Sequence, residues 1–219
     1  MPTLPNDPAP HRRPMILAID SSSAACTVAL LTTGGEVHAS IDERIDRGHA
    51  ERLAPMIEQL LGGHIPTQIL VGIGPGSFTG IRVGLATAQG LSIGWEVDLR
   101  GVDSLALLAA SSDRRTDQPV AVAINGGHGE LFVRTFDGRT LQPLDDVRSL
   151  KPGDAATAIT ASLVVGSGAA ALVDVRGHGD VDDIVPSASR VLSLPEDLRS
   201  LDPKPAYARA PDAKPKVAA

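Results

Sequence analysis

Apolar positions come in short blocks along this chain, and the first block is the clearest. Met15-Ile16-Leu17-Ala18-Ile19 is apolar without a break and is closed by Asp20 and three serines. Such a run predicts a buried strand that ends in a polar turn. A second strand is expected over 25–31, and Thr32-Thr33-Gly34-Gly35 supplies the turn to a third over 37–41, giving an antiparallel meander. The period then becomes helical. Leu53, Met56, Ile57, Leu60 and Leu61 recur at helical spacing within 49–61, with Asp46 as a nearby candidate cap. Pro55 lies inside this helix and is expected to kink or locally open it, because it removes the hydrogen bond back to the Glu51 carbonyl.

Another apolar strand is expected over 69–73. Gly74-Pro75-Gly76-Ser77-Phe78-Thr79-Gly80 then forms a loop into a helix over 79–94, followed by a strand over 97–102 and a short helix over 105–110. Three strands, a helix, a strand and a helix, in that order, make half of an α/β actin-like ATPase (ribonuclease-H-like) fold. The first lobe therefore spans 15–118. A reduced second lobe is read over 119–186, with strands over 120–124, 130–136 and 162–165 and a turn at Gly126-Gly127. Residues 187–201 read as a helix returning to the first lobe. The proline-rich ends, 1–14 and 202–219, read as disordered tails.

Charge narrows the class of partners. The 219 residues carry a net charge of −6, the wrong sign for a protein that gains its affinity by neutralising nucleic-acid phosphates. Phe78, Trp95, Phe132, Phe136 and Tyr207 are the only aromatics and are scattered, so no base-stacking platform is expected. Cys26 is the lone cysteine and cannot pair within the chain; with no signal-peptide pattern, a cytoplasmic location is expected. No apolar run approaches the roughly 20 residues that span a bilayer, so no membrane partner is expected.

The loop 74–80 carries the most chemical information. Its glycines admit two readings: a cradle for an anion at a helix N-terminus, or a tight turn capped by Ser77 or Thr79. It is not a Walker loop, since Ile81-Arg82 follows the last glycine, and Pro75 and Thr79 rule out a hydrolase elbow around Ser77. In the helix that follows, Gly80, Gly84 and Ala88 form one row of small residues and Ala86, Gly90 and Gly94 another. Each glycine lowers helix stability by up to about 1 kcal/mol relative to alanine, so close backbone approach is expected on both rows. One row fits the chain's own sheet; the other fits either internal packing or a second subunit. Asp20, Ser21 and Ser22 form either a phosphate and magnesium site or a strand-ending turn. Gly166-Ser167-Gly168-Ala169-Ala170-Ala171 weakly fits a nucleotide-binding pattern. No Ser-His-Asp or metal-binding histidine set can be assembled, so neither catalytic nor metal residues are assigned.

Met15 to Asp20, Arg47-Gly48-His49-Ala50-Glu51-Arg52-Leu53 and the span Gly-Pro-Gly-Ser-Phe-Thr-Gly-Ile-Arg-Val-Gly-Leu-Ala-Thr-Ala-Gln-Gly-Leu over 74–91 resemble the TsaB (YeaZ) family, strongly over 15–110 and thinly beyond. The resemblance implies a two-lobed actin-like fold and a non-catalytic scaffold of the machinery that transfers threonylcarbamoyl to a tRNA adenosine. It implies as partners the catalytic paralogue TsaD, the ATPase TsaE and a second copy of the chain, with tRNA met only through the complex. In the paralogue two histidines four apart bind metal; the matching positions here are Ser104 and Leu108, and Asn125 stands where an aspartate is usual. Asn125-Gly126-Gly127-His128 resembles the paralogue's Ser-Gly-Gly-His. On this reading the subunit interface comprises His49, Leu53, Met56, Ile57, Leu60, Gly80, Gly84, Ala86, Ala88 and Gly90. No cofactor is required, and Asp20, Ser21, Ser22, Gly166 and Gly168 would form at most a weak or vestigial nucleotide site. The rival reading is a small actin-like ATPase or sugar-type kinase.

Overall fold

The computed structural model describes residues 14–45 and 47–208. The expectations for Asp46 as a cap, for 1–13 and for 209–219 lie outside the described residues. Strands β1 (Met15–Asp20), β2 (Ala25–Thr32) and β3 (Val37–Arg44) form the meander, and helix α1 (His49–Leu61) returns the chain to β4 (Gln68–Gly72). Helix α2 (Phe78–Trp95), strand β5 (Asp98–Val102) and helix α3 (Ser104–Ser111) complete the first lobe. The sheet order is β3-β2-β1-β4-β5, with β1 parallel to β4 and β4 parallel to β5.

All six residues of β1 are buried because both faces of the sheet are covered. The strand period of two sorts them. Leu17 and Ile19 join Val28, Leu30, Ile69 and Val71 under α1 and α2, whereas Ile16 and Ala18 join Ala29, Leu31 and Leu70 against α3. The second lobe repeats the plan. Strands β6 (Val120–Gly127), β7 (Glu130–Phe136), β8 (Arg148–Leu150), β9 (Leu163–Val165) and β10 (Asp180–Asp182) lie in the order β10-β9-β6-β7-β8. With helices α4 (Pro152–Ala158) and α5 (Ala169–Arg176), this is the same strand order as in the first lobe. The lobe is reduced in strand length but complete in topology. Val122 and Ile124 face α3 while Ala121 and Ala123 face α4 and α5, so one apolar layer built around α3 is shared by both sheets.

Several details depart from expectation. The β6–β7 turn is centred on His128-Gly129 rather than Gly126-Gly127. Gly127 pairs with Glu130, and a register shift between Asn125 and Gly127 absorbs the extra residue. His128 and Gly129 both have positive φ, 54° and 73°, as a two-residue hairpin turn of primed type requires. Helix α1 begins at Gly48, in the left-handed conformation, with no side-chain cap, and runs continuously through the exposed Pro55. The returning segment is a 3-10 helix (Ala188–Ser193) and a single turn, α6 (Glu196–Arg199). It lies on the first lobe, where the Ala188 amide donates to Thr27 Oγ1 at 2.7 Å. Residues 202–208, expected in a disordered tail, instead follow a defined path: beyond Leu201, which exchanges both backbone hydrogen bonds with Gly101 at 2.7 and 3.0 Å, the Ala206 amide donates to the Ile73 carbonyl at 2.8 Å.

Candidate functional site

Helix α2 starts at Ser77, whose hydroxyl accepts the Gly80 amide at 3.2 Å. The loop 74–80 is thus a capped turn, and its glycines serve close packing against the β1–β2 turn. A Cβ at Gly80 would overlap the Ser21 carbonyl, and one at Gly84 would come within 2.6 Å of Ser21 Oγ. Gly80, Gly84 and Ala88 therefore face inward. So do Leu53, Met56, Ile57 and Leu60, which are at most 8% exposed and pack with Leu17, Ile19, Val28 and Ile81. His49 is 8% exposed and its Nε2 lies 2.8 Å from the Ser23 carbonyl, which pins the start of α1 to the same turn. Of the ten residues expected at an interface, these eight are buried against the sheet or the β1–β2 turn, and among them only Ile57 also lines a surface groove.

Ala86 and Gly90 face outward. A Cβ at Gly90 or Gly94 would meet nothing, and Ile93 beside them is 79% exposed. This smooth face borders a groove of ≈ 370 Å³ between α1 and α2, floored by Ala54, Ile57, Leu61, Leu91 and Trp95 and rimmed by Glu58 and His64. Ile93 thus adds a large exposed apolar side chain to the outward face of the helix whose Thr87, Leu91 and Trp95 line the groove. Ile93 was missed in the sequence. Its signal is its spacing, three residues after Gly90 and seven after Ala86.

Of the expected nucleotide residues, Asp20, Ser21 and Ser22 lie together in a buried hydrogen-bond network, and Gly166 and Gly168 lie apart from it in the second lobe. Asp20 is fully buried; its Oδ1 accepts the Ser22 amide and hydroxyl, each at 2.8 Å, and its Oδ2 accepts the Ser104 hydroxyl at 2.6 Å. Ser104 Oγ in turn accepts the Gly74 amide at 3.0 Å. Burial pushes the Asp20 carboxyl above its ordinary range, against the hydrogen bonds from Ser104 and Ser22 that hold it down. Burial likewise raises the Cys26 thiol to about 11, so it is no nucleophile at neutral pH. Gly166 and Gly168 sit against the β6 backbone, where the Gly168 amide donates to the Ala123 carbonyl at 2.9 Å. The two positions matched to metal-binding histidines are equally absorbed: Ser104 into this network and Leu108, 2% exposed, into the core between the lobes. Among the described residues, no three His, Cys, Asp or Glu side chains come close enough to hold a metal ion.

Residues 36–170 match the family described as "TsaD: tRNA N6-adenosine threonylcarbamoyltransferase". The chain is 40% identical over 123 residues to the tRNA threonylcarbamoyladenosine biosynthesis protein TsaB of Escherichia coli, covering 53% of this chain and 52% of that protein. It is 37% identical over 123 residues to TsaB of Haemophilus influenzae, covering 53% and 51%. The chain thus spans about half the length of the curated relatives it matches. The solved structure of YeaZ from Pseudomonas aeruginosa superposes with a TM-score of 0.75 at 28% identity, over 89% of this chain and 100% of that one. No helix among the described residues is long and apolar enough to cross a membrane. With a family match over more than half its length and the same strand order in its two lobes, this protein belongs to the actin-like threonylcarbamoyltransferase (TsaD) family, in its TsaB (YeaZ) branch.

Proposed function

We propose that this chain serves threonylcarbamoyladenosine formation on tRNA as a non-catalytic scaffold that docks the catalytic paralogue TsaD on the outward face of α1 and α2. The observation that supports this reading is the exposed Ile93 between Gly90 and Gly94, on the helix whose Thr87, Leu91 and Trp95 line the apolar groove. A partner helix approaches closely over Ala86, Gly90 and Gly94 and takes Ile93 into its own surface. A second copy of the chain occupies the same face when the paralogue is absent, TsaE joins the assembled pair, and tRNA is met only through the complex in the cytoplasm. The test is co-purification with the paralogue. Ile93→Asp is expected to lower retention at least about tenfold, the scale of a lost interface anchor, while the melting temperature stays near that of the parent because the residue is exposed. Undiminished retention would refute the docking face.

The buried carboxylate supports a structural rather than a nucleotide-binding role, and no cofactor is assigned. Asp20→Asn is expected to leave threonylcarbamoyl transfer by the reconstituted complex unchanged and to alter only the pH dependence of stability. Because the folded-state carboxyl titrates above the ordinary 3.8, the native protein holds a proton that the unfolded chain releases, so stability falls as pH rises through that window. The amide variant lacks this fall. Urea melts from pH 4 to 8 should show the parent declining relative to Asp20→Asn; parallel curves would mean that burial does not control the group.

A further inference from the structure

Two of the five aromatic residues of this chain meet on its surface, at the N-terminal end of the outward face of α2. Phe78 and Tyr207 are 50% and 40% exposed, with ring centroids 5.4 Å apart and planes 27° from parallel. The guanidinium of Arg82 lies 3.6 Å from the Phe78 centroid, and its Nε donates to the Tyr207 hydroxyl at 3.0 Å. Tyr207 is delivered there by the strap 201–208, through its pairing with Gly101 and Ile73. The path is built into the fold, since a Cβ at Gly74 would come within 2.8 Å of the Ala206 carbonyl. Sequence alone hides the cluster because its members are 125 positions apart in the chain.

Arg82 lies over one aromatic ring and donates to one hydroxyl, yet among the described residues it has no carboxylate partner. Its terminal nitrogens therefore keep their paired donors, which match a carboxylate in bidentate geometry. Restraint by Phe78 and Tyr207 removes part of the rotamer entropy that an exposed arginine would lose on binding. The position is continuous with the docking face, because Arg82, Ala86, Gln89, Gly90 and Ile93 are all exposed along α2.

We propose that Phe78, Arg82 and Tyr207 form a second, polar anchor of this face, which receives an acidic side chain from the protein partner that lies along α2. This rests on the docking reading above. A protein carboxylate is favoured over an RNA phosphate because the chain carries a net charge of −6 and the cluster shares its helix face with Ala86, Gly90 and the exposed Ile93.

The test uses the full chain and the catalytic paralogue, with Kd measured at low and high salt. Arg82→Gln is expected to raise Kd about tenfold and to flatten its salt dependence, as loss of a charged rim contact does. Arg82→Lys should not restore affinity, because it keeps the charge but loses the fork and the ring contact. Tyr207→Phe, which keeps the stack and loses the hydroxyl, should weaken binding less than Arg82→Gln. If Ile93→Asp releases the partner while Arg82→Gln binds with the parent's Kd and salt slope, the second anchor is wrong and the docking face stands. If Ile93→Asp has no effect, the docking face itself is wrong. Full rescue by Arg82→Lys, or an Arg82→Gln defect seen in tRNA binding by the isolated chain and not in the protein complex, overturns the carboxylate assignment.

Discussion

Gly84→Leu is expected to lose about 3 kcal/mol of stability, near the top of the range for overpacking, and Gly90→Leu to lose almost none. The two glycines lie six residues apart on the same helix. A Cβ at Gly84 comes within 2.6 Å of Ser21 Oγ, in a turn fixed by Asp20, whereas a Cβ at Gly90 meets nothing. For a chain of this size the loss corresponds to roughly 6–12 °C in melting temperature. Assembly should show the opposite order. Gly90→Leu stays folded and fails to bind the paralogue, since a leucine there holds a facing helix away, while whatever fraction of Gly84→Leu remains folded still binds. Melting temperature, sedimentation and co-purification of both variants decide it. Equal effects on stability would mean that the inward and outward faces of α2 are misassigned, and normal assembly by a folded Gly90→Leu would place the docking face elsewhere.

The same helix shows what is legible in sequence and what is not. Two rows of small residues could be read from spacing because helical periodicity needs no knowledge of neighbours. Which row faced the sheet could not, since Gly84 and Gly90 are chemically identical and only their neighbours, Ser21 and Val71 at Gly84, distinguish them. Helix α1 was readable nearly to the residue because its apolar stripe is wide and unbroken, but that clarity also misled: Leu53 and Met56 are pronounced because they are core. In the second lobe, β8 and β10 are three residues each, too short to show alternation, whereas β9, equally short, was legible as the apolar run 162–165 before Gly166, and α5 follows a glycine-containing turn that resembles a nucleotide loop. The strap 201–208 was hidden by its prolines, which forbid regular structure but not order. Its order comes from Gly101, Ile73, Phe78 and Arg82, none of them near it in sequence.

Between the lobes, Arg134→Ala is expected to be the most damaging single truncation of a polar side chain, at about 3–5 kcal/mol, the scale for removing one partner of a buried ion pair. Arg134 on β7 donates to Asp103 Oδ2 at 2.7 Å, and the two side chains are only 16% and 11% exposed. Asp103 Oδ1 meanwhile accepts the amides of Leu105 and Ala106, each at 2.9 Å, and so caps α3. One carboxylate thus starts the central helix and ties the second lobe to it. Burial pushes this carboxyl upward, while the cap amides and Arg134 oppose the shift. Removing Arg134 takes away one opposing charge, so the carboxyl rises further and the native state of the variant favours a proton that the unfolded chain does not hold above about pH 4. Its deficit against the parent should therefore be largest at neutral pH and shrink as the pH falls toward 4. Asp103→Asn with Arg134→Met keeps the cap, leaves no charge buried and should recover most of the loss. Lobes that hinged apart over this contact would have to break the pair in every cycle and expose the apolar layer around α3, which is the behaviour of a rigid platform rather than of a closing clamp. Denaturant melts of the three proteins from pH 4 to 8 measure it: a single-variant deficit below about 1 kcal/mol, the level of an exposed pair, would show that the lobes are not locked here.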